Sequence, residues 1–295
     1  MSYLASPTVD DLIKIAIQED LGLGDLTSAL AIDSAASGSM VLIARESLVV
    51  CGITLIERIA NQVGANLAIS PKVVDGTVCS EMEPLVIVEG SMQWLLSLER
   101  IWLNFLQRLS GISTKVHQLK LKHPKLHLLD TRKTTPGWRV LEKYAVLIGG
   151  GTNHRLSLGD MILIKNNHLD AAGVTDAEKS RVFFERIRAR KPWHTPIECE
   201  VRSLAELQIV LAGSPDFILL DNMDDHTIRA CMDEIARLKT PSSSSPVVEV
   251  SGGVTSDSRL TAISELGIKY VSMGSLTTNV RSVDISARVK FEKKI

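Results

Sequence analysis

The sequence predicts an α/β protein whose C-terminal half is a barrel of parallel strands. From about residue 127, six apolar runs each stop at a polar or glycine-rich segment: "LHLLDTRK", "DMILIKNNH", "PIECEVR", "DFILLDNM", "PVVEVSGG" and "KYVSMGSL". Their polar ends fall near 130, 165, 200, 221, 251 and 274, and most intervals hold a helical segment such as "SLAELQIVLAG" or "SRLTAISELG". Strand, helix, strand at this spacing means parallel βαβ units. Near-continuous Ile, Leu and Val content says the strands are buried on both faces. Polar groups at the end of every run favour a barrel over an open doubly-wound sheet. A barrel brings all those ends to one pocket, whereas an open sheet gathers only those at its switch point.

The first 112 residues mix helices and strands. "SPTVDDLIKIAIQED" reads as a helix: Ser6 can cap it, Pro7 suits its first position, and Val9, Leu12, Ile13, Ala16 and Ile17 form one apolar face. Residues 38–52 read as strands with turns, 54–65 as a helix ending near Gly64, and 83–91 as a strand entering a turn. The stretch 94–121 is a long apolar helix, expected to break around Gly111, with Arg100 and Arg108 on a similar face. "PGWRVLEKYAV" reads as a helix started by Pro136 with solvated Arg139 and Lys143, the "GGG" at 149–151 as a flexible turn, and "TPSSSSP" (240–246) as a flexible helix-to-strand loop.

Composition narrows the function. A chain of 295 residues with 45% hydrophobic content has material for about two domains with buried cores. A net charge of -1 gives no overall signal for nucleic acid or membrane, so any cationic site must be local. No run approaches the roughly 20 apolar residues of a membrane span, and the N-terminus lacks a signal peptide's basic and apolar regions. A soluble cytoplasmic protein is expected. Cys51, Cys79, Cys199 and Cys231 form no CxxC pair, which argues for free thiols. Cys199, within a strand, reads as a small buried hydrophobe.

The local charge lies between 131 and 168, where six Lys or Arg face two acids. Arg132, Lys133 and Lys165 terminate apolar strands, where a partly desolvated cation is costly without an anionic partner. That partner is either an internal carboxylate or an anionic substrate. Arg offers a fork suited to carboxylate or phosphate and Lys a point charge. Glu200 and Asp221 end two later strands, where carboxylates bind hydroxyls or a hard divalent cation, do acid–base work, or pair with the cations. "VSGGV" (250–254) and "SMGSL" (272–276) bring glycines to the last two strand ends, where phosphate sites of barrels lie. His154 is the titrating candidate, expected to hydrogen-bond and not to act as general base. These residues describe an enzyme acting on a phosphorylated, polyanionic small molecule, without choosing the reaction.

The same segments resemble the quinolinate phosphoribosyltransferase family, also called nicotinate-nucleotide pyrophosphorylase (carboxylating). "EDLGLGDLTS", "LERIWLNFLQRLSGIST", "DTRKTTPGWRVLEKYAV", "GGGTNHRLSLGDMILIKNNH", "ECEVRSLAE", "ILLDNM" and "EVSGGV" are similar to that family in its order, over nearly the whole chain. The resemblance implies an N-terminal open α/β sandwich domain (1–113) and an α/β barrel of fewer than eight strands (114–275), with a tail from about 276 to 295 packing on the first. It implies a homodimer or higher even oligomer that converts quinolinate and phosphoribosyl pyrophosphate to nicotinate mononucleotide, pyrophosphate and CO2 with Mg2+. On it, Arg132, His154, Arg155 and Lys165 surround the quinolinate carboxylates, with Arg100 reaching in from the partner subunit. Lys133 sits between quinolinate and pyrophosphate. Glu200 and Asp221 hold ribose hydroxyls and Mg2+, directly or through water. Ser251, Gly252, Gly253 and Gly274 cradle the 5′-phosphate. Two positions depart from the family pattern: Asn166 stands where an aspartate is expected, and Thr278 near an expected histidine. Asn166 keeps open a ligand-binding paralog without turnover. Two other rivals are a phosphoribosyltransferase-like protein associated with molybdate transport, against which "NHR" and "LIKNNH" argue, and a barrel lyase using Lys165 as a Schiff base.

Overall fold

The computed structural model describes residues 3–237 and 245–291, so most of the loop expected at 240–246 lies outside the described residues. The chain forms two compact units. One comprises Met1–Gln118, Lys133–Gly151 and Ser275–Ile295; the other comprises Leu119–Arg132 and Thr152–Gly274.

The first unit opens with α1 (Pro7–Leu21), which buries Val9 and Ile13. Ser6 stands at its N-cap, but no side-chain cap forms; its hydroxyl bonds Thr8 Oγ1 instead. A side-chain cap does form at α2 (Leu26–Ala31), where Asp25 accepts from the Ser28 N–H at 2.9 Å. Then come β1 (Ser37–Ala44), β2 (Leu48–Val49), α3 (Ile53–Gln62), β3 (Leu67–Pro71), β4 (Val78–Cys79) and β5 (Pro84–Ser91). In β1 the alternate residues Met40, Leu42 and Ala44 are fully buried, the period of a sheet with one face on the core.

The next helix, α4 (Met92–Lys122), runs unbroken for 31 residues, contrary to the break expected at Gly111. The glycine there answers a close approach: a Cβ at 111 would lie 2.4 Å from the Arg281 carbonyl oxygen. The helix pays about 1 kcal/mol in propensity and lets the C-terminal segment cross it.

The second unit holds all six expected strands: β6 (His127–Leu129), β7 (Ile162–Ile164), β8 (Ile197–Val201), β9 (Phe217–Asp221), β10 (Val247–Ser251) and β11 (Tyr270–Ser272). They are parallel, in the order β6-β11-β10-β9-β8-β7. The first strand therefore pairs the last, which is barrel order; an open doubly-wound sheet would place its first strand inside the sheet. On the other side of β6, Thr152 makes a parallel bridge to Leu129. Helices α6 (Asn166–Ala171), α7 (Ala177–Arg188), α8 (Leu204–Leu211), α9 (Asp225–Arg237) and α10 (Asp257–Glu265) fill the crossovers. Asp176, Ser203 and Ser256 cap α7, α8 and α10 with side-chain bonds.

The helix after β6, α5 (Arg139–Ile148), belongs to the first unit. It starts three residues later than Pro136 suggests, after a turn in which Gly137 takes φ +83. Lys143 is wholly buried, not solvated. The "GGG" that follows is a packed helix end: a Cβ at Gly149 would stand 2.5 Å from the Ser113 carbonyl oxygen. After α11 (Ser275–Thr278), β12 (Ile285–Phe291) pairs antiparallel with β1, giving the sheet order β12-β1-β5-β3.

Arg108 organises this unit. Its Nη2 donates to Glu142 Oε1 and to the Thr277 carbonyl, both at 2.7 Å. Glu142 is fully buried and also accepts from Thr135 N and Oγ1. Arg108→Met would leave Glu142 buried without its cation. Denaturant unfolding should show a loss of about 3 kcal/mol or more; a loss near zero would mean that the pair contributes nothing.

Candidate active site

The site begins where β6 ends. Asp130, fully buried, accepts from the His154 N–H at 2.9 Å and from the Asn153 amide. Its own N–H donates to the Thr152 carbonyl at 3.2 Å, and Thr152 N–H donates to Leu128 at 2.8 Å. Segment 152–155 is thus fastened alongside β6, which sets Arg155 near Arg132. Burial, and then the Arg132 charge, lower the Arg155 pKa, against the opposing pull of Glu198. Arg132 Nε is buried with no hydrogen-bond partner. Two crowded guanidiniums, one with an unspent buried donor, form a place for an anion.

His154 faces two acids that the sequence reading did not single out. Its Nε2 lies 3.0 Å from Glu198 Oε2 and 3.6 Å from Glu249 Oε2. Both glutamates are buried. Burial chiefly, and then the Glu198 charge, push the Glu249 carboxyl up to about 7, with His154 and a bond to Ser272 acting the other way. A signal was available in the sequence: Glu198 precedes Glu200 by two residues, and Glu249 precedes Ser251 by two. Each therefore shares a strand face with an assigned residue.

At the neighbouring strand ends, Lys165 Nζ bonds Glu200 Oε2 at 2.6 Å. Of the two partners that the sequence left open for Lys165, the internal carboxylate is the one present. Asp221 stands in register with Ser251 across β9 and β10. The Ser272 and Ser251 hydroxyls are hydrogen-bonded at 2.9 Å. Gly252 and Gly253 take φ +82 and +64, and a Cβ at 252 would meet Asn222 N at 2.7 Å, so the turn after β10 requires glycine there. Gly274 follows β11. The carboxylates of Glu200 and Asp221, ending adjacent strands, are the hard oxygen donors that suit Mg2+ shared with substrate phosphates.

Not every expected residue falls in this unit. Lys133 is exposed and begins a stretch of the first unit, where Thr277 Oγ1 donates to its carbonyl at 2.6 Å. Arg100 lies on α4 in the first unit, its side chain 59% exposed and 3.9 Å from Glu99. Asn166 starts α6, its Oδ1 accepting from Asn167 N at 2.7 Å. Thr278 is exposed. All four cysteines are buried and free, and burial pushes the Cys199 thiol well up, which fits the small buried hydrophobe expected there.

A parallel barrel whose strand ends carry guanidiniums, a lysine, paired carboxylates and a glycine turn defines a class: barrel enzymes acting on small anionic molecules. The family models identify it further. Residues 112–288 match the quinolinate phosphoribosyl transferase C-terminal domain, and residues 25–110 match its N-terminal domain. The chain belongs to the quinolinate phosphoribosyltransferase family. A nicotinate-nucleotide pyrophosphorylase [carboxylating] of Oryza sativa subsp. japonica is 36% identical over 98% of this chain and 80% of its own length. A probable nicotinate-nucleotide pyrophosphorylase [carboxylating] of Bacillus subtilis is 37% identical over 92% and 90%. The crystal structure of NadC from Streptococcus pyogenes superposes with a TM-score of 0.85 at 32% identity, covering 97% of each chain.

The raised Glu249 pKa has a stability consequence. Between about pH 4.5 and 7 the native state holds a proton that the unfolded chain has released, so stability falls as pH rises through that window. Glu249→Gln removes the titration. Relative to that variant, wild-type protein should lose a few kcal/mol between about pH 4.5 and 7.5 in denaturant unfolding. Parallel pH profiles would show that Glu249 ionises normally.

Proposed function

We propose that this protein transfers a phosphoribosyl group from phosphoribosyl pyrophosphate to quinolinate with decarboxylation, giving nicotinate mononucleotide, pyrophosphate and CO2 for de novo NAD biosynthesis. The observation that carries this reading is the crowding of Arg132 and Arg155 with a buried, unspent Arg132 Nε. Quinolinate carries two adjacent carboxylates, the ligand two such groups suit. Lys165, and Arg100 from a partner subunit, complete the carboxylate wall, and the family resemblance adds His154.

With the carboxylates held, the ring nitrogen faces the anomeric carbon of the sugar. The nitrogen–carbon bond forms as the carbon–oxygen bond to pyrophosphate breaks, and the sugar passes through oxocarbenium character. Lys133 supports the pyrophosphate charge. Glu200 and Asp221 hold the ribose hydroxyls and Mg2+, which would neutralise the departing pyrophosphate. Ser251, Gly252, Gly253 and Gly274 take the 5′-phosphate. Positioning and fixed charge then account for most of the catalysis. In the second step the carboxylate beside the quaternary nitrogen leaves as CO2. Its electron pair stays on the ring carbon, stabilised by the adjacent positive nitrogen, until a proton arrives.

Among the described residues no helix is long and apolar enough to cross a membrane. A cytoplasmic, dimeric or higher even-numbered assembly belongs to the proposal. Asn166 supports the second reading, binding without turnover, because a carboxylate is missing there.

Purified protein with quinolinate, phosphoribosyl pyrophosphate and Mg2+ should lose quinolinate and release CO2 together, and should not consume nicotinate. Arg132→Ala should lower kcat/KM for quinolinate at least about a hundredfold; an unchanged value removes it from the wall. Binding without turnover would favour the paralog and make Asn166→Asp the next variant. For Arg100 acting in trans, mixed dimers of inactive Arg100→Ala and inactive Lys165→Ala subunits should recover activity. None in verified mixed dimers would mean that each site is built from one chain.

A further inference from the structure

Among the described residues, Met82, Ser214 and Asn222 take a positive φ without being glycine. Asn222 differs from the other two in its place: it directly follows Asp221 at the end of β9 and has φ +53. Asp221 and Ser251 are the last residues in register across β9 and β10. The pairing runs one bond further, from the Asn222 N–H to the Ser251 carbonyl at 2.8 Å. There both chains turn left-handed side by side, Asn222 on one and Gly252 and Gly253 on the other. The two turns interlock. A Cβ at Gly252 would stand 2.9 Å from both Cα and Cβ of Asn222, and a Cβ at Gly253 would stand 3.3 Å from its Oδ1.

We propose that Asn222 is a positioning residue of the phosphoribosyl site: its left-handed backbone locks the end of β9 against the glycine turn after β10, and so fixes the Asp221 carboxylate relative to the 5′-phosphate cradle. This rests on the phosphoribosyl reading of the site and adds one residue to it. On that reading Asp221 and the glycine turn engage one sugar phosphate, the ribose at one strand end and the phosphate at the next. Their spacing is then part of the recognition. A shift between the two strand ends costs affinity for the sugar phosphate even with every contact residue in place.

The choice of residue fits the role. Asparagine enters the left-handed region more readily than most side chains, and β-branched residues are outliers there. Glycine would enter it freely, but would hold the turn less firmly because its backbone has more freedom to lose. The conformation is held from outside. The Asn222 N–H is spent on Ser251, and beyond the turn Arg259 Nη2 donates to the Met223 carbonyl at 2.6 Å while its Nη1 pairs with Asp225. The Asn222 side chain is exposed and bonds none of the described residues, so it does not secure the turn itself. Backbone strain that the surroundings hold in this way gathers at ligand sites. The same contact accounts for Gly252: the space its missing Cβ leaves is the space Asn222 occupies.

The test separates the backbone of Asn222 from its side chain. Asn222→Val and Asn222→Ala oppose the left-handed turn, valine more strongly; Asn222→Gly keeps the turn and deletes the side chain. KM for phosphoribosyl pyrophosphate is measured on all three. So is the calorimetric Kd for ribose 5-phosphate, which has the sugar and its phosphate without the pyrophosphate. Benzene-1,2-dicarboxylate, which has vicinal carboxylates alone, reports on the rest of the site. Asn222→Val should raise the KM and the ribose 5-phosphate Kd by about tenfold or more. Asn222→Ala should raise them less, and Asn222→Gly should recover most of the loss. Affinity for the dicarboxylate should stay within about twofold throughout. Thermal unfolding shows whether the valine variant folds; if it does not, alanine against glycine decides. Wild-type values in a folded valine variant, or in that case an alanine variant no worse than glycine, would overturn the assignment. A glycine variant as impaired as valine would overturn it too, by placing the side chain itself on the ligand. So would an equal loss of dicarboxylate affinity, which marks a merely structural residue. A wild-type protein that binds ribose 5-phosphate without consuming quinolinate fails the proposed reaction alone, and the variants are then read on affinity. One that does not bind it fails the phosphoribosyl reading and this assignment with it.

Discussion

The arrangement at the strand ends depends on holding two guanidiniums together before any ligand arrives. Burial and the neighbouring Arg132 charge both disfavour the charged form of Arg155. What keeps them there is acid within the same unit. Asp130 fastens the segment that carries Arg155, and Glu198 offsets part of the Arg155 cost. The barrel makes this possible because residues two apart on a strand share a face. Glu198 shares its strand face with Glu200, and Glu249 with Ser251, so on the proposed reading each strand carries one group assigned to the ligand and one to the structure. On the proposed reading such a site has much to gain from a dianion, because its cations are already in place when the anion arrives.

Two strands of the barrel unit run on directly into segments of the first unit. The chain leaves the barrel unit after Arg132 and again after Gly274. In both cases the next few residues are tied to α4. Thr277 Oγ1 holds the Lys133 carbonyl, Arg108 holds Glu142 and the Thr277 carbonyl, and Lys115 Nζ holds the Ser275 and Asn279 carbonyls at 2.5 and 2.7 Å. The segment after β6 and the one after β11 are therefore fixed to one helix. Neither is a loop free to vary, and this is why α4 is long, continuous and carries a glycine where the C-terminal segment crosses it.

The six barrel strands were legible because each is apolar throughout and ends abruptly, a pattern that local sequence carries in full. Arg132 and Lys165 were legible for the same reason, as charges at the end of apolar runs, whereas Arg155 came only from the likeness to a family. What escaped were residues whose meaning depends on distant partners. Lys143 and Arg108 look like surface cations on amphipathic helices, and only the fold brings Glu142 to Arg108. Gly111 looks like a helix breaker because the carbonyl it accommodates is 170 residues away in sequence. Glu249 and Glu198 lie in apolar strands, where an acid reads as an interruption. Their link to His154 requires the third dimension. The substrate itself came from the likeness of whole motifs to a family, since charge and spacing stopped at a polyanionic small molecule.

The Lys165–Glu200 pair shows how the two substrate regions can communicate on the proposed reading. Without ligand, the lysine assigned to quinolinate bonds the carboxylate assigned to ribose and metal, at 2.6 Å. The lysine side chain is 47% exposed while Glu200 is buried, so it is the lysine that can turn toward another anion. A quinolinate carboxylate arriving at Lys165 competes with Glu200 for the same ammonium. Whatever share it takes leaves Glu200 more negative, and so a better acceptor for ribose hydroxyls and a better donor to a hard cation. Because such coupling is reciprocal, a ribose or cation that engages Glu200 releases Lys165 toward the dicarboxylate. The ion pair thus keeps two opposite charges from standing unsatisfied in the free protein, and hands each to its own substrate when both are present.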